Sequence, residues 1–261
     1  MSELSCSDFP ESFLLELGRD IWNYTIGFLV VKNHEGQIEA ILKGSGVLIM
    51  VGDSYGILTA QHVIRNLPNN GKLGLILSQK NETSNIDIAY LTKIEIGIPE
   101  RGKEKKGPDI GVIKLTAKTA SEIGSVKSFY NLFKRTHVFE SNDLREKEGP
   151  WYAQGFVEEL TQEDVEKGNK NIVNSYCQYG AIGGIEDYVV RDNYDYFKFP
   201  IESSEKESDP YNFGGISGGG LWQVTLKKNE AGEYEQDQLL LRGSKNPRSK
   251  NVVLISPYKG V

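Results

Sequence analysis

Short apolar runs separated by polar turns dominate the chain from residue 25 onward. Thr25 to Lys32, Ile38 to Leu42, Val47 to Val51 and Tyr55 to Ala60 are rich in β-branched and aromatic residues. His34-Glu35-Gly36, Gly44-Ser45-Gly46 and Gly52-Asp53 punctuate them with turn formers. Runs of this length and make-up predict β-strands. Leu73 to Leu77, Ile86 to Tyr90, Lys93 to Ile98 and Ile110 to Leu115 continue the pattern. It returns in Trp151 to Phe156, Ile172 to Gln178, Asp187 to Val190, Tyr194 to Ile201, Leu221 to Leu226 and Gln238 to Leu241. Val252 to Ile255 is a candidate last strand. The helices that would alternate with strands in a parallel sheet are absent from this pattern, which predicts an all-β sandwich or barrel.

Three segments break the rhythm. Residues 8–22 place Phe13, Leu14, Leu17 and Ile21 at helical spacing, with Ser7 or Asp8 able to cap and Pro10 in the first turn. This predicts a short amphipathic helix packed against the outside of the main fold. From Thr119 to Phe133 the apolar residues Ile123, Val126, Phe129 and Phe133 fall at mixed helical spacing, as in a connecting segment. Glu158 to Asn171 is charged and reads as a surface loop. The expected division is an N-terminal extension (1–22), a strand-rich unit (23–118), a linker (119–145) and a second strand-rich unit (146–261).

Composition narrows the function classes. The chain has 261 residues, 38% hydrophobic and 25% charged, which is the balance of an ordinary globular protein. Its formal net charge is −6, and the basic clusters at 101–106 and 245–250 are short, so no nucleic-acid partner is expected. The two cysteines, Cys6 and Cys177, lie near the N-terminus and in a strand-like run, and no disulfide between them is expected. The first residues are acidic and lack the pattern of a secretory leader, and no run approaches the ~18 apolar residues that span a bilayer. No membrane partner is expected, and a cytoplasmic setting is the default.

The candidate chemistry sits in three stretches. In Phe213-Gly214-Gly215-Ile216-Ser217-Gly218-Gly219-Gly220-Leu221-Trp222 a serine lies between glycines. Such a backbone can approach a ligand closely and present a hydroxyl beside N–H groups, which acyl transfer requires. The plain alternative is a flexible glycine loop. His62, in Leu58-Thr59-Ala60-Gln61-His62-Val63, stands where the chain leaves a strand, a place that also suits a structural histidine. Asp109 directly precedes the apolar run Ile110 to Leu115, where a turn aspartate is also common. Asp87, before Ile88-Ala89-Tyr90-Leu91, is a second aspartate of the same kind and lies nearer to His62 in sequence. His34 and His137 read as surface residues in a turn and in the linker. Three scattered histidines without an H-E-x-x-H spacing offer no metal site, and no cofactor is expected.

Taken together, Gly44-Ser45-Gly46-Val47-Leu48-Ile49, Leu58 to Val63, Asp109 to Leu115 and Gly215-Ile216-Ser217-Gly218-Gly219 resemble the trypsin-like (chymotrypsin-fold) serine peptidases. The resemblance implies two antiparallel six-stranded β-barrels with the active site in the cleft between them. His62 and Asp109 would come from the first barrel and Ser217 from the second. It further implies a Ser-His-Asp triad, with Asp109 favoured over Asp87 as the acid, and an oxyanion hole from the backbone N–H groups of Gly215 and Ser217. Tyr211 falls at the family's pocket-base position, with Glu207 and Asp209 nearby. Two features depart from the familiar secreted members. Ile216 stands where they carry the aspartate that pairs with a newly cut N-terminus, and their disulfides are missing. The implied function is a cytoplasmic serine endopeptidase acting on a protein or peptide substrate, with room for an activating partner. The alternative is a catalytically silent relative that uses the same cleft to bind peptides.

Overall fold

The computed structural model describes residues 9–34, 37–78, 83–96, 108–135, 150–160, 162–165, 172–175, 178–184, 187–191, 194–198, 215–230 and 234–241. The helix α1 (Glu11–Trp22) is followed by β1 (Thr25–His34), β2 (Gln37–Val51), β3 (Ser54–Thr59) and α2 (Gln61–Asn66). Next come β4 (Lys72–Ile76), β5 (Thr83–Asp87), β6 (Thr92–Glu95), β7 (Gly111–Lys114), α3 (Ala117–Gly124) and β8 (Tyr130–Asn131). The second half contributes β9 (Trp151–Phe156), β10 (Gln162–Val165), β11 (Ile172–Ser175), β12 (Gln178–Gly183), β13 (Asp187–Arg191), β14 (Tyr194–Lys198), β15 (Gly220–Lys228) and β16 (Tyr234–Leu241).

The first seven strands form one curled antiparallel sheet in the order β5-β4-β1-β2-β3-β7-β6, and β8 adds to it in parallel on β2. A second antiparallel sheet runs β12-β9-β15-β16, and β10–β11 and β13–β14 are separate hairpins. A mostly β chain with this division into two sheets is consistent with a chymotrypsin-like two-barrel fold. Among the described residues the sheets have eight and four strands, not six and six. The first sheet thus has two strands more than expected, one of them β8 from Tyr130 and Asn131, which the sequence pattern assigns to a linker.

β2 explains how the two sheets are joined. Its register against β1 shifts between Phe28 and Leu29, so Lys43 is an extra residue, a β-bulge that redirects the strand. Beyond it, Gly44 to Ile49 are all buried, because the strand now runs between two cores and alternates between them. Leu48 packs into the interior of the first sheet with Ile26, Phe28, Ile57, Val63, Leu75 and Ile113. Val47 and Ile49 point the other way, into a cluster shared with Trp222, Val224, Leu239 and Leu241 of the second sheet. The sequence reads a turn at Gly44-Ser45-Gly46, but the chain continues through it as one strand of 15 residues.

That shared cluster also takes Leu17 and Ile21, so α1 is wedged into the joint between the sheets and does not lie on the outside. It starts after Pro10, whose backbone is extended and whose carbonyl accepts the N–H groups of Phe13 (3.0 Å) and Leu14 (3.2 Å). The expected caps, Ser7 and Asp8, lie outside the described residues. Tyr130 closes the same joint: its hydroxyl donates to the Leu239 carbonyl (3.0 Å) and accepts from the Leu241 N–H (3.2 Å).

Other expectations shift locally. His34 closes β1 opposite Gln37 and is not itself in the turn. The charged stretch read as a loop contains β10, which pairs Gln162 to Val165 with Ser175 to Ile172. Cys6, Cys177, His137, the two basic clusters and Val252 to Ile255 lie outside the described residues. Among the described residues no helix is long and apolar enough to cross a membrane.

Candidate active site

The first part of the site is built on α2. β3 ends at Thr59, Ala60 stays extended (φ −75°, ψ 144°), and the helix begins at Gln61 without a cap from the Ala60 side chain. A carboxylate from elsewhere fills the gap. Asp109 Oδ1 accepts the backbone N–H of His62 at 2.9 Å, satisfying one of the donors that a helix start leaves open. Its other oxygen, Oδ2, is hydrogen-bonded to His62 Nδ1. One carboxylate therefore fixes both the backbone and the ring of the same histidine. The two side chains are 38% and 30% exposed, so the pair is anchored yet within reach of a ligand.

Packing sets the separation between them. Val63 and Ile64 of α2 are buried in the first core with Ile113, and Ile110, next to Asp109, is buried in the cluster shared by the two sheets. On the outer side Glu95 of β6 accepts hydrogen bonds from Gln61 Nε2 (3.1 Å) and Arg65 Nε (2.7 Å). Half-exposed ion pairs of this kind contribute about 0–1 kcal/mol. Their value here is geometric, since Glu95 pairs with Gly111 and thus ties α2 to the strand that follows Asp109.

Asp87 is placed differently. β5 stops there, and Asp87 Oδ1 accepts the Ala89 N–H at 2.9 Å to start the 3-10 turn Ile88–Tyr90. The strand expected through Tyr90 ends early because the carboxylate caps that turn. Asp87 is exposed, and its carboxylate serves the backbone.

The serine stretch approaches α2 from the second sheet. Gly218 has φ +87°, a conformation that favours glycine, and a Cβ there would lie 2.1 Å from Thr59 Oγ1, 2.2 Å from the Ser45 carbonyl and 3.0 Å from Ala60 N. Only a bare α-carbon brings the residue after Ser217 against the end of β3 and the start of α2. Gly44 fills the space between: a Cβ on it would meet Val63 at 2.7 Å and the Ser217 carbonyl at 3.1 Å.

Three successive carbonyls of this loop are held. Gly215 O accepts Ser45 Oγ (2.7 Å), Ile216 O accepts Gly219 N–H (2.9 Å) and Ser217 O accepts Ser45 N–H (2.8 Å). In a trans peptide the N–H points opposite to the C=O, so the Ser217 N–H is turned away from Gly219. Ile216 is buried, and a Cβ on Gly155 of β9 would lie 2.9 Å from it.

Tyr211, Glu207 and Asp209 lie outside the described residues. The sequence pattern assigns no site role to Ser45, Thr59 or Glu95. A serine flanked by glycines in a strand was a usable signal for the first, whereas nothing local marks Glu95. Among the described residues no group of three or more His, Cys, Asp or Glu side chains is placed to hold a metal ion.

No protein-family model matches the chain, and no curated protein does. Among solved structures, it is similar to a catalytically inactive tobacco etch virus protease complexed with substrate. The identity is 10% over 84% of this chain and 78% of that one, with a TM-score of 0.30. A likeness this faint adds nothing to the geometry described above.

Proposed function

We propose that the chain is a serine-type peptidase in which Ser217 is the nucleophile, His62 the general base and Asp109 the residue that orients His62. The observation that carries this is the double grip of Asp109 on His62, on the backbone N–H and on Nδ1. A histidine held by a carboxylate at Nδ1 has its tautomer defined, and proton transfer falls to Nε2. The loop of Ser217 is seated beside the same helix through Gly218 and Gly44.

In this reading Ser217 Oγ adds to the carbonyl carbon of the substrate while its proton passes to His62 Nε2. The N–H groups of Ser217 and Gly215 receive the negative charge that develops on the carbonyl oxygen. Collapse returns the proton to the leaving amine, and water then repeats the sequence on the acyl-enzyme. A protein or peptide is the substrate, and the two-cysteine composition fits a cytoplasmic setting.

The test is intact-mass analysis after treatment with a fluorophosphonate. A single adduct is expected on the native chain and on neither Ser217→Ala nor His62→Ala. A folded native chain that takes no adduct, or an adduct that persists in Ser217→Ala, would overturn the assignment and leave the cleft as a peptide-binding surface.

A further inference from the structure

We infer that Ser45 is a positioning residue for the oxyanion site: its hydroxyl, reaching across from the first sheet, locks the Gly215–Ile216 peptide that joins the two N–H donors. The inference rests on the serine-peptidase reading of the site.

Ser45 lies in β2 just beyond the bulge, on the face it shares with Val47 and Ile49, and it is fully buried. A hydroxyl at such a position is costly unless it is hydrogen-bonded. Here both of its capacities are used. Ser45 Oγ donates to Gly215 O at 2.7 Å and accepts the N–H of Phe156, the last residue of β9, at 2.8 Å. The backbone adds two more bonds, from Ser45 N–H to Ser217 O (2.8 Å) and from Thr59 Oγ1 to Ser45 O (2.7 Å). One residue of the first sheet thus grips the serine loop twice, the second sheet once and the strand leading to His62 once.

The grip on Gly215 is the consequential one. Gly215 sits at φ +91° with no side chain to limit rotation, so the peptide that follows it can turn at little steric cost. That peptide lies between the two proposed donors, Gly215 N–H and Ser217 N–H, and turning it changes the direction of one relative to the other. Gly215 and Ile216, the two residues of that peptide, have no side-chain group that could hold it through a hydrogen bond. Ser45 Oγ supplies the hold from outside, and the Phe156 N–H fixes the hydroxyl in turn. The two donors stay aimed together before substrate arrives, which is what preorganised charge stabilisation requires. Ser45 touches no reacting atom and acts through the loop.

The experiment follows fluorophosphonate adducts of the full-length native chain, Ser45→Ala and Ser45→Thr. It measures the labelling rate by intact mass, the 31P resonance of the adduct, and stability by urea unfolding. The phosphonyl oxygen occupies the place of the oxyanion, so the 31P shift reports the donors around it. Ser45→Ala is expected to label about 10- to 100-fold more slowly, less than the loss of a donor itself. Its resonance should move, and Ser45→Thr should restore both. A folded Ser45→Ala with native rate and native resonance overturns the inference, as does a drop in stability with the resonance unchanged. If Ser45→Ala does not fold, Ser45→Cys carries the same comparison with the volume kept and the hydrogen bond weakened. A native chain that takes no adduct overturns the peptidase reading and this role with it, an outcome distinct from native labelling that Ser45 does not influence.

Discussion

The two halves of the site are held by different means. The His62–Asp109 half is made within one sheet, from a helix start, a strand start and the core beneath them. The Ser217 half is a coil whose shape is set from the other sheet, by Ser45, Thr59 and the room that glycines leave. The hydrogen bonds of the first half are all made within the first sheet and its helix. The second exists only where the two units meet, over a shared cluster that holds α1, Tyr130 and Trp222 together. The His62–Asp109 pair can therefore persist in a chain whose Ser217 loop has loosened.

The largest effect should come from the base side. Asp109→Asn removes the charge that orients His62 and should lower the labelling rate of Ser217 by about 10⁴-fold, the cost known for this substitution in triad peptidases. Asp87→Asn alters only an exposed turn that an asparagine can also cap, and should leave the rate within about twofold and stability within about 0.5 kcal/mol. Equal losses in the two variants would undo the assignment of Asp109.

On the loop side, Gly218→Ala sharpens the contrast. The new Cβ cannot coexist with Thr59 Oγ1 and Ser45 O at 2.1 and 2.2 Å, and the φ of +87° is strained for alanine. The loop must leave its seat, with a loss of about 1–3 kcal/mol in unfolding free energy. Labelling should drop by about 10²-fold while the His62–Asp109 pair stays intact. Gly52→Ala is the control: φ is +58° there, but nothing lies within 4 Å, so only about 1 kcal/mol of backbone strain and no change in labelling are expected. A native labelling rate in Gly218→Ala would show that the loop does not depend on its contact with the first sheet.

What the sequence made legible follows the same divide. His62 and Asp109 were recognisable because each sits at the border of an apolar strand, a signal carried by a few contiguous residues. Ser217 stood out through its glycines. The hydrogen bonds that shape the loop link Ser45 to Gly215 and to Phe156, 170 and 111 positions away, and no local pattern reveals such partners. β10 escaped because Gln162-Glu163-Asp164-Val165 has no apolar alternation, its pairing coming from β11. α1 was read as a helix from its period, but a period shows that one face is buried and not between which partners. The same limit hid Tyr130, a residue in an apparent linker that bonds to β16.

The smallest effect concerns the joint itself. Lys127 is buried, donates from Nζ to the Trp22 carbonyl at the end of α1 (2.7 Å), and lies 3.6 Å from the centre of the Trp22 ring. Burial disfavours its ammonium and lowers the pKa from the usual 10.5 to about 7. Between those values the unfolded chain holds a proton that the folded chain has released, so stability rises with pH from about 7 to about 10.5. Below about 7 the folded chain carries the whole cost of a buried charge. Contact with the ring and with the helix-end carbonyl offsets part of it. Lys127→Met keeps the length and removes the charge. It should gain stability relative to the native chain at pH 6, on the order of 2 kcal/mol, and keep less than half of that advantage at pH 9. Urea unfolding of both chains at the two pH values checks this. Labelling of Ser217 in the folded variant should match the native rate, because Lys127 secures α1 to the joint and not the loop. A pH-independent difference in stability would mean that Lys127 stays charged in the joint, as it is in the unfolded chain.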